Sequence, residues 1–277
     1  MPGHSVADSA VIERANTPGG AVGTVALVNS LGTTLSMWDE VTAELVRESF
    51  DVVRFDQRGH GSAARTGGAA TIDDLVDDFI AVLDRLGLER VHVVGVSIGG
   101  MVAIRAASRK SARIRSLAVL CSAAVYDAHG WNERAAAVRK HGLERMVPLV
   151  MDRWFTREFQ HRRPGIVREY ARMLRAVPAE GYAAGCDVLA TADVRDDLPM
   201  VTVPTLVVGG AEDPATPPRE QLRIARSIPH ARFEILPGVA HLAPVAAPGE
   251  IAKLVAENAM DQRQWRSGSR ATERSGH

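Results

Sequence analysis

The stretch Val91–Ala107, "VHVVGVSIGGMVAIRAA", decides the fold. A run of apolar residues stops at one hydroxyl, Ser97, with Gly95 two positions before it and Gly99 two positions after it. Beyond Ser97 the apolar spacing changes to that of a helix. A strand that turns directly into a helix cramps the residue at the turn and brings its second neighbours on each side together. Glycine is favoured at both of those neighbours. The hydroxyl then stands above the sheet edge, at a helix N-terminus whose free N–H groups favour negative charge. Gly99, Gly100 and Ala103 let that helix pack close to the sheet. A Gly-x-Ser-x-Gly pattern is weak alone. Here the strand before it and the small-residue helix after it are the context of a nucleophile elbow.

Five further short runs accompany this strand: Thr24–Ser30, Asp51–Asp56, Ile114–Ser122, Thr205–Gly210 and Arg232–Gly238. They are rich in Val, Ile and Leu with little alternation, as strands covered on both faces are. Helical spacing lies between them, over Thr71–Leu86, Gly99–Arg109, Pro218–Ser227 and Pro248–Ala259. The first is the clearest. Ile72, Leu75, Phe79, Val82, Leu83 and Leu86 share one face, Thr71 caps the start and Gly87 ends it. Alternating strands and helices imply an α/β fold with a doubly wound, mostly parallel sheet. The alternation breaks over residues 127–198, which show helical spacing and no convincing strand. That segment is expected to be an all-helical cap inserted into a core of residues 1–126 and 199–260. Residues 261–277 are polar, lack an apolar period and are expected to be a disordered tail.

The 277 residues suit one large α/β domain. Lys plus Arg and Asp plus Glu both number 33, so the balanced charge argues against a nucleic-acid partner. The two cysteines, Cys121 and Cys186, are far apart and lack metal-site spacing; both are expected to be reduced core residues. The N-terminal "MPGHSVADSAVIER" lacks the layout of a secretory signal, and no apolar run approaches the roughly 20 residues that span a bilayer. A cytoplasmic protein with no membrane or metal partner is expected; self-association as a homo-oligomer stays open.

A serine hydroxyl needs a base to take its proton and an acid to orient the base. In the elbow arrangement the chain order is serine, acid, histidine. "TLVVGGAEDPATPP" supplies Asp213 three residues after Gly210, with Glu212 beside it as a rival and Asp127 as a more distant one. "RFEILPGVAHLAP" places His241 in a loop beyond the last strand. Of the nine histidines, His60 in "RFDQRGHGS" is the strongest competitor, but it lies upstream of the serine. His230 precedes the last strand, and His277 ends the chain. An oxyanion needs two N–H donors. Position assigns them to Ile98, just after the serine, and Leu31, in the loop after the first parallel strand.

These residues carry a family likeness. The chain resembles α/β-hydrolases along almost its whole length, and more narrowly it resembles 3-oxoadipate enol-lactonases. The segments that match are "LVNSLGTTLSMWDEV" (27–41), "VVRFDQRGHGSA" (52–63), "GVSIGGMVA" (95–103), "RWFT" (153–156) and "EGYAAGCDVLATADVRDDL" (180–198). Asn29-Ser30 stands where most α/β-hydrolases have His-Gly. The histidine loop departs from the family in reading Ala240-His241, with Ala246 and Ala247 where an acidic residue is usual. The resemblance implies a Ser97–Asp213–His241 triad, no cofactor, and a small lactone substrate bearing a carboxylate. Within "MDRWFTREF", Trp154 is then expected to wall the pocket, and Arg153 or Arg157, taken as one turn apart on a single helical face, to meet the carboxylate. Other readings of the same residues are a carbon–carbon bond hydrolase, a general carboxylesterase and a non-catalytic ligand receptor. Serine at position 97 disfavours relatives that use an aspartate nucleophile.

Overall fold

A computed structural model describes residues 11–64 and 70–261. The expected disordered tail lies outside these, apart from Asp261. Among the described residues, seven strands form one sheet in the order β1-β3-β2-β4-β5-β6-β7. They are β1 (Ile12–Ala15), β2 (Gly23–Val28), β3 (Phe50–Phe55), β4 (Val91–Val96), β5 (Ile114–Leu120), β6 (Thr205–Gly210) and β7 (Arg232–Leu236). β2 to β7 pair in parallel, and β4 and β6 are buried at every position. β1 runs antiparallel along the edge against β3. The runs read from sequence coincide with the six parallel strands. β1 escaped notice because its four residues are half exposed and include Glu13 and Arg14.

The helices of the core are α1 (Asp39–Arg47), α2 (Ile72–Arg85) and α3 (Ile98–Arg109). α1 was also missed in the sequence. It follows "NSLGTTLSMW" without a capping side chain, and its apolar stripe is short. α2 begins with the expected cap: the Thr71 hydroxyl accepts from Asp74 N, and Asp74 accepts in return from Thr71 N. Such a cap is worth about 1 kcal/mol. Phe79, Val82 and Leu83 on its inner face are fully buried.

Between β5 and β6 the chain forms five successive helices: α4 (Ala128–His141), α5 (Val147–Trp154), α6 (Arg157–Arg162), α7 (Pro164–Ala176) and α8 (Ala179–Thr191). α4 and α8 pack along each other. Chain returns to the core through α9 (Pro218–Ser227), a short α10 (Ala243–Ala246) and α11 (Pro248–Met260). α11 packs against α1.

The strand order places the functional edge. From β2 the chain steps outward to β3, then crosses back to β4 on the other side of β2. Right-handed crossovers in opposite directions put α1 and α3 on opposite faces of the sheet. At such a reversal the carboxyl ends of two neighbouring strands lead to diverging loops, leaving a crevice. Val28 pairs with Gly95 there, so the loops beginning at Asn29 and Ser97 leave the sheet side by side.

Asp56 locks this edge. It is buried, and its carboxylate accepts from Leu35 N (2.8 Å), Ser62 N (2.8 Å) and Ser62 Oγ (2.9 Å). It thereby ties the loop after β2 to the loop after β3. Asp56→Ala would strand the buried Leu35 N–H and remove the acceptor of the more exposed Ser62 N–H. We expect a loss of about 1–3 kcal/mol in stability, read as a lower urea midpoint at unchanged slope. A loss below about 0.5 kcal/mol would show that the two loops hold together without it.

Candidate active site

Ser97 sits between β4 and α3 with φ +57° and ψ −119°, a backbone conformation that side-chain-bearing residues rarely adopt. The glycines explain how the turn closes. A Cβ on Gly95 would run into the Gly99 carbonyl, and one on Gly99 into the carbonyls of Val28 and Asn29. Hydrogen bonds then fix the serine's own backbone. Its N–H donates to Leu120 O at 3.0 Å, and its carbonyl accepts from Ser122 Oγ at 2.7 Å. The side chain is not a helix cap, so its hydroxyl is not committed to the helix it precedes.

Asp213 follows β6, and its buried carboxylate is saturated with donors. Oδ1 accepts from Ala215 N (2.8 Å) and Thr216 N (3.0 Å); Oδ2 meets Thr216 Oγ1 (2.6 Å) and His241 Nδ1 (2.8 Å). Burial would raise its pKa. The charge and hydrogen bond of His241, with the Thr216 donors, outweigh that and hold the carboxyl below its usual range. The rivals take other places. Glu212 is exposed. Asp127 caps α4, accepting from His129 N and Gly130 N.

His241 lies in the loop after β7 and is 5% exposed. Its loop is bound to the end of α5: His241 N donates to Arg153 O at 3.4 Å, and Leu242 N to Trp154 O at 3.1 Å. With Nδ1 on Asp213, the ring's other nitrogen, Nε2, is left for chemistry. His60 does something different. Its Nε2 accepts from Gly32 N at 3.0 Å, and its Nδ1 donates to Arg58 O at 3.0 Å, so both ring nitrogens are used. Burial lowers its pKa, which keeps it neutral and able to accept. His60 thus braces the loop that carries Leu31, where Gly32 has φ +83°.

Asn29 closes the base of the same loop. It donates to Phe55 O (3.0 Å) and accepts from Trp38 Nε1 (2.9 Å). Ile98 opens α3, where an N–H has no acceptor within its own helix. Leu31 is buried beside it, and its side chain fits over Gly185 of α8.

A cavity of about 270 Å³ gathers Ser30, Leu31, Ser97, Trp154 and His241. Arg153 also lines it. Arg157 does not. The expectation of a shared helical face for the two arginines fails, because Phe155 turns to an extended conformation, ends α5, and Thr156 caps a separate helix that starts at Arg157. Arg157 is exposed there.

Sequence reasoning missed Arg134, Trp131, Tyr126 and Tyr182 on the cavity wall. Trp131 and Arg134 were detectable as an i, i+3 pair on an otherwise polar helix. The Arg134 guanidinium lies 4.6 Å from the centre of the Trp131 ring and donates to Tyr182 Oη at 3.4 Å. Among the described residues, neither Arg134 nor Arg153 forms an ion pair. Burial lowers the Arg153 pKa, and the nearby charge of Arg134 lowers it further.

Residues 23–248 match the family model for the α/β-hydrolase fold. The chain belongs to that family. It is 35% and 36% identical to 3-oxoadipate enol-lactonases 1 and 2 of Acinetobacter baylyi, over 79% of its length and 82% of theirs. It superposes on an enol-lactonase from Burkholderia xenovorans with a TM-score of 0.87 at 30% identity, covering 91% of this chain and 96% of that one. A thermophilic esterase from Thermogutta terrifontis, solved with malate bound, gives a TM-score of 0.83 at 29% identity over 90% and 92%. These relatives support hydrolase chemistry for the chain. No helix among the described residues is long and apolar enough to cross a membrane.

The depressed pKa of Asp213 predicts a pH signature. A carboxyl lowered in the folded state stabilises the fold above its unfolded pKa, and that stability is lost as pH falls through the lowered value. Asp213→Asn should therefore flatten the acid limb of the stability curve. Urea midpoints compared at about pH 7 and about pH 3 will read it. Parallel curves for the two proteins would mean that Asp213 titrates as an ordinary carboxyl.

Proposed function

We propose that the protein is a serine hydrolase that opens 3-oxoadipate enol-lactone to 3-oxoadipate. One observation carries this reading. A single small cavity holds Ser97 and His241 together with two guanidiniums that form no ion pair among the described residues; the carboxylate on the same wall, Asp127, is engaged in capping α4. Its volume is at the small end of ligand pockets. The lactone is small, and its carboxylate would be the missing partner for Arg153 or Arg134.

In the proposed reaction, Ser97 Oγ attacks the lactone carbonyl carbon and His241 Nε2 takes the hydroxyl proton. Asp213 holds the imidazole through Nδ1 and offsets the charge it gains. The oxyanion is met by the N–H groups of Ile98 and Leu31. The ring C–O bond breaks, and its electron pair leaves on the enol oxygen. His241 returns the proton. Water, activated by the same histidine, then releases the acyl group from Ser97, and the enol becomes the ketone. The helices between β5 and β6 act as a cap that walls the substrate, with Trp154 on its inner surface. The chain's own groups supply every proton transfer.

The malate-bound esterase favours a second reading: small esters bearing a carboxylate, handled by the same residues.

Ser97→Ala should reduce enol-lactone hydrolysis by about a thousandfold or more while leaving the melting temperature close to that of the parent. Retention of more than a few per cent of turnover by a purified variant would overturn the serine assignment. Replacing Arg153 or Arg134 by alanine should lower kcat/KM for the enol-lactone about 10- to 150-fold, the worth of a hydrogen bond to a charged partner. Hydrolysis of p-nitrophenyl acetate, which has no carboxylate, should barely change. Equal losses on both substrates would trace the defect to folding of the helical segment instead.

A further inference from the structure

Asp213 is held by more than the histidine. The segment after β6 reads "DPATPP" (213–218), and prolines at 214, 217 and 218 leave Ala215 and Thr216 to carry its backbone N–H groups beyond Asp213. Both of these turn back onto Asp213 Oδ1. One carboxylate oxygen is thus spent on its own turn, and the other, Oδ2, faces His241. Two wholly buried polar residues stand behind that oxygen, Thr216 and Gln221. Gln221 ends the first turn of α9, the helix that packs on β6.

The proton positions in this cluster follow from its acceptors. Thr216 O is a carbonyl and only accepts, so the Gln221 atom 2.7 Å from it is the amide nitrogen, Nε2. The same nitrogen lies 3.1 Å from Thr216 Oγ1 and donates its second proton there. Thr216 Oγ1 in turn lies 2.6 Å from Asp213 Oδ2. Burial would raise the Asp213 pKa, but His241 and the Thr216 donors hold the carboxyl below its usual range, so Oδ2 also only accepts. The Thr216 hydroxyl proton therefore points at Oδ2. His241 Nδ1, 3.3 Å from that hydroxyl, is closer to Oδ2 and gives its own proton to the carboxylate. The arrangement has a cost. Gln221 Oε1 is buried with no partner among the described residues. An amide that leaves its oxygen empty in order to place its nitrogen calls for an explanation.

We propose that Thr216 and Gln221 are positioning residues: Gln221 turns the Thr216 hydroxyl onto Asp213, and that hydroxyl holds Oδ2 in the place from which it orients His241. Without the hydroxyl, Oδ2 is fixed only by the ring that it has to fix. Nε2 lies at the far side of the imidazole from this bond, so a small shift of Oδ2 grows into a larger one where the proton of Ser97 is to be taken. A displacement of about 1 Å between reacting groups costs on the order of a hundredfold in rate. Neither Thr216 nor Gln221 lines the cavity, so the effect falls on kcat and leaves substrate binding alone.

The inference rests on the proposed roles of Ser97, His241 and Asp213, but not on the enol-lactone as substrate. Thr216→Ser and Thr216→Ala both lose the γ-methyl and differ only in the hydroxyl. With p-nitrophenyl acetate as substrate, Thr216→Ser should stay within about threefold of the parent, and Thr216→Ala should lose about 10- to 100-fold in kcat at a KM within about twofold. Gln221→Met, which keeps the length of the side chain and removes the amide, should also lower kcat without raising KM. Added to Thr216→Ala it should cost no more than about twofold further, because Gln221 acts through the hydroxyl. Equal kcat in the Ser and Ala variants, a loss carried mainly by KM, or a double variant whose losses multiply overturns the proposal. If Thr216→Ala does not fold, Gln221→Met against the parent decides, and an unchanged kcat overturns it. Ser97→Ala on the same ester keeps the two readings apart. Turnover retained there means that the serine assignment has failed; an inert Ser97→Ala beside equal Thr216 variants means that only the role of Thr216 has failed.

Discussion

The turn at Ser97 is the constraint on which the rest depends. A non-glycine residue at φ +57° carries strain of about 1–3 kcal/mol, which persists only where surrounding contacts over-determine it. Those contacts are visible. Leu120 and Ser122 of the neighbouring strand end hold the Ser97 backbone on both sides. Gly95 and Gly99 remove the two Cβ atoms that would prevent β4 and α3 from meeting. The small residues that follow let α3 lie close to the sheet, and Gly100 itself packs against Ser122. What the strain secures is a hydroxyl at the head of a helix and free of capping duty. A relaxed Ser at the same helix start would turn its oxygen to the N–H groups of the first turn.

Around that fixed point the other loops are braced against each other. His60 accepts from Gly32 and so sets the loop carrying Leu31. Asp56 sets the same loop from its other end through Leu35. The helical segment joins in at two places. Gly59, beside His60, touches the backbone of Gly181 in α8 so closely that neither position has room for a Cβ. The carbonyls at the end of α5 accept from the N–H groups of His241 and Leu242. The unused carbonyls of a helix end are thus satisfied by the histidine's own loop. Arg153 and His241 are therefore linked through one backbone hydrogen bond, and a shift of α5 moves a cation and an imidazole together.

The sheet was legible because its central strands, β4, β5 and β6, are almost wholly buried and rich in branched apolar residues. The elbow was legible because its glycines are demanded by backbone contact. What was hidden has physical reasons. β1 lies at an edge with its side chains half in solvent, so it has no apolar run to display. The break between Arg153 and Arg157 depends on Phe155 and Thr156. Phe155 is buried and stacks on Phe159, and the Thr156 hydroxyl accepts from Phe159 N. A Thr two residues past the last turn is a capping signal that the apolar period conceals. Tyr126 reaches the cavity through tertiary placement alone, and Arg134 is set apart from the exposed Arg139 only by Trp131 three residues before it.

Arg134 and Arg153 also give the cavity a bias of its own. Arginine keeps its proton when buried, so a pair of guanidiniums cannot relieve their repulsion by neutralisation. Trp131 and Tyr182 offer Arg134 a ring face and a hydroxyl oxygen, which soften the cost without cancelling the charge. On the proposed reading, these two guanidiniums bias the cavity toward an anionic guest, against the single carboxylate of Asp127 on its wall. An anionic acyl donor would carry a second negative charge once Ser97 attacks. With Asp213 already matched to His241 and Asp127 engaged in capping α4, that second charge would develop beside two guanidiniums that form no ion pair among the described residues and the proposed N–H donors, where charge stabilisation is strongest. The same cations that would bind the ground state would thus assist the transition state more, which is the direction that raises kcat as well as lowering KM.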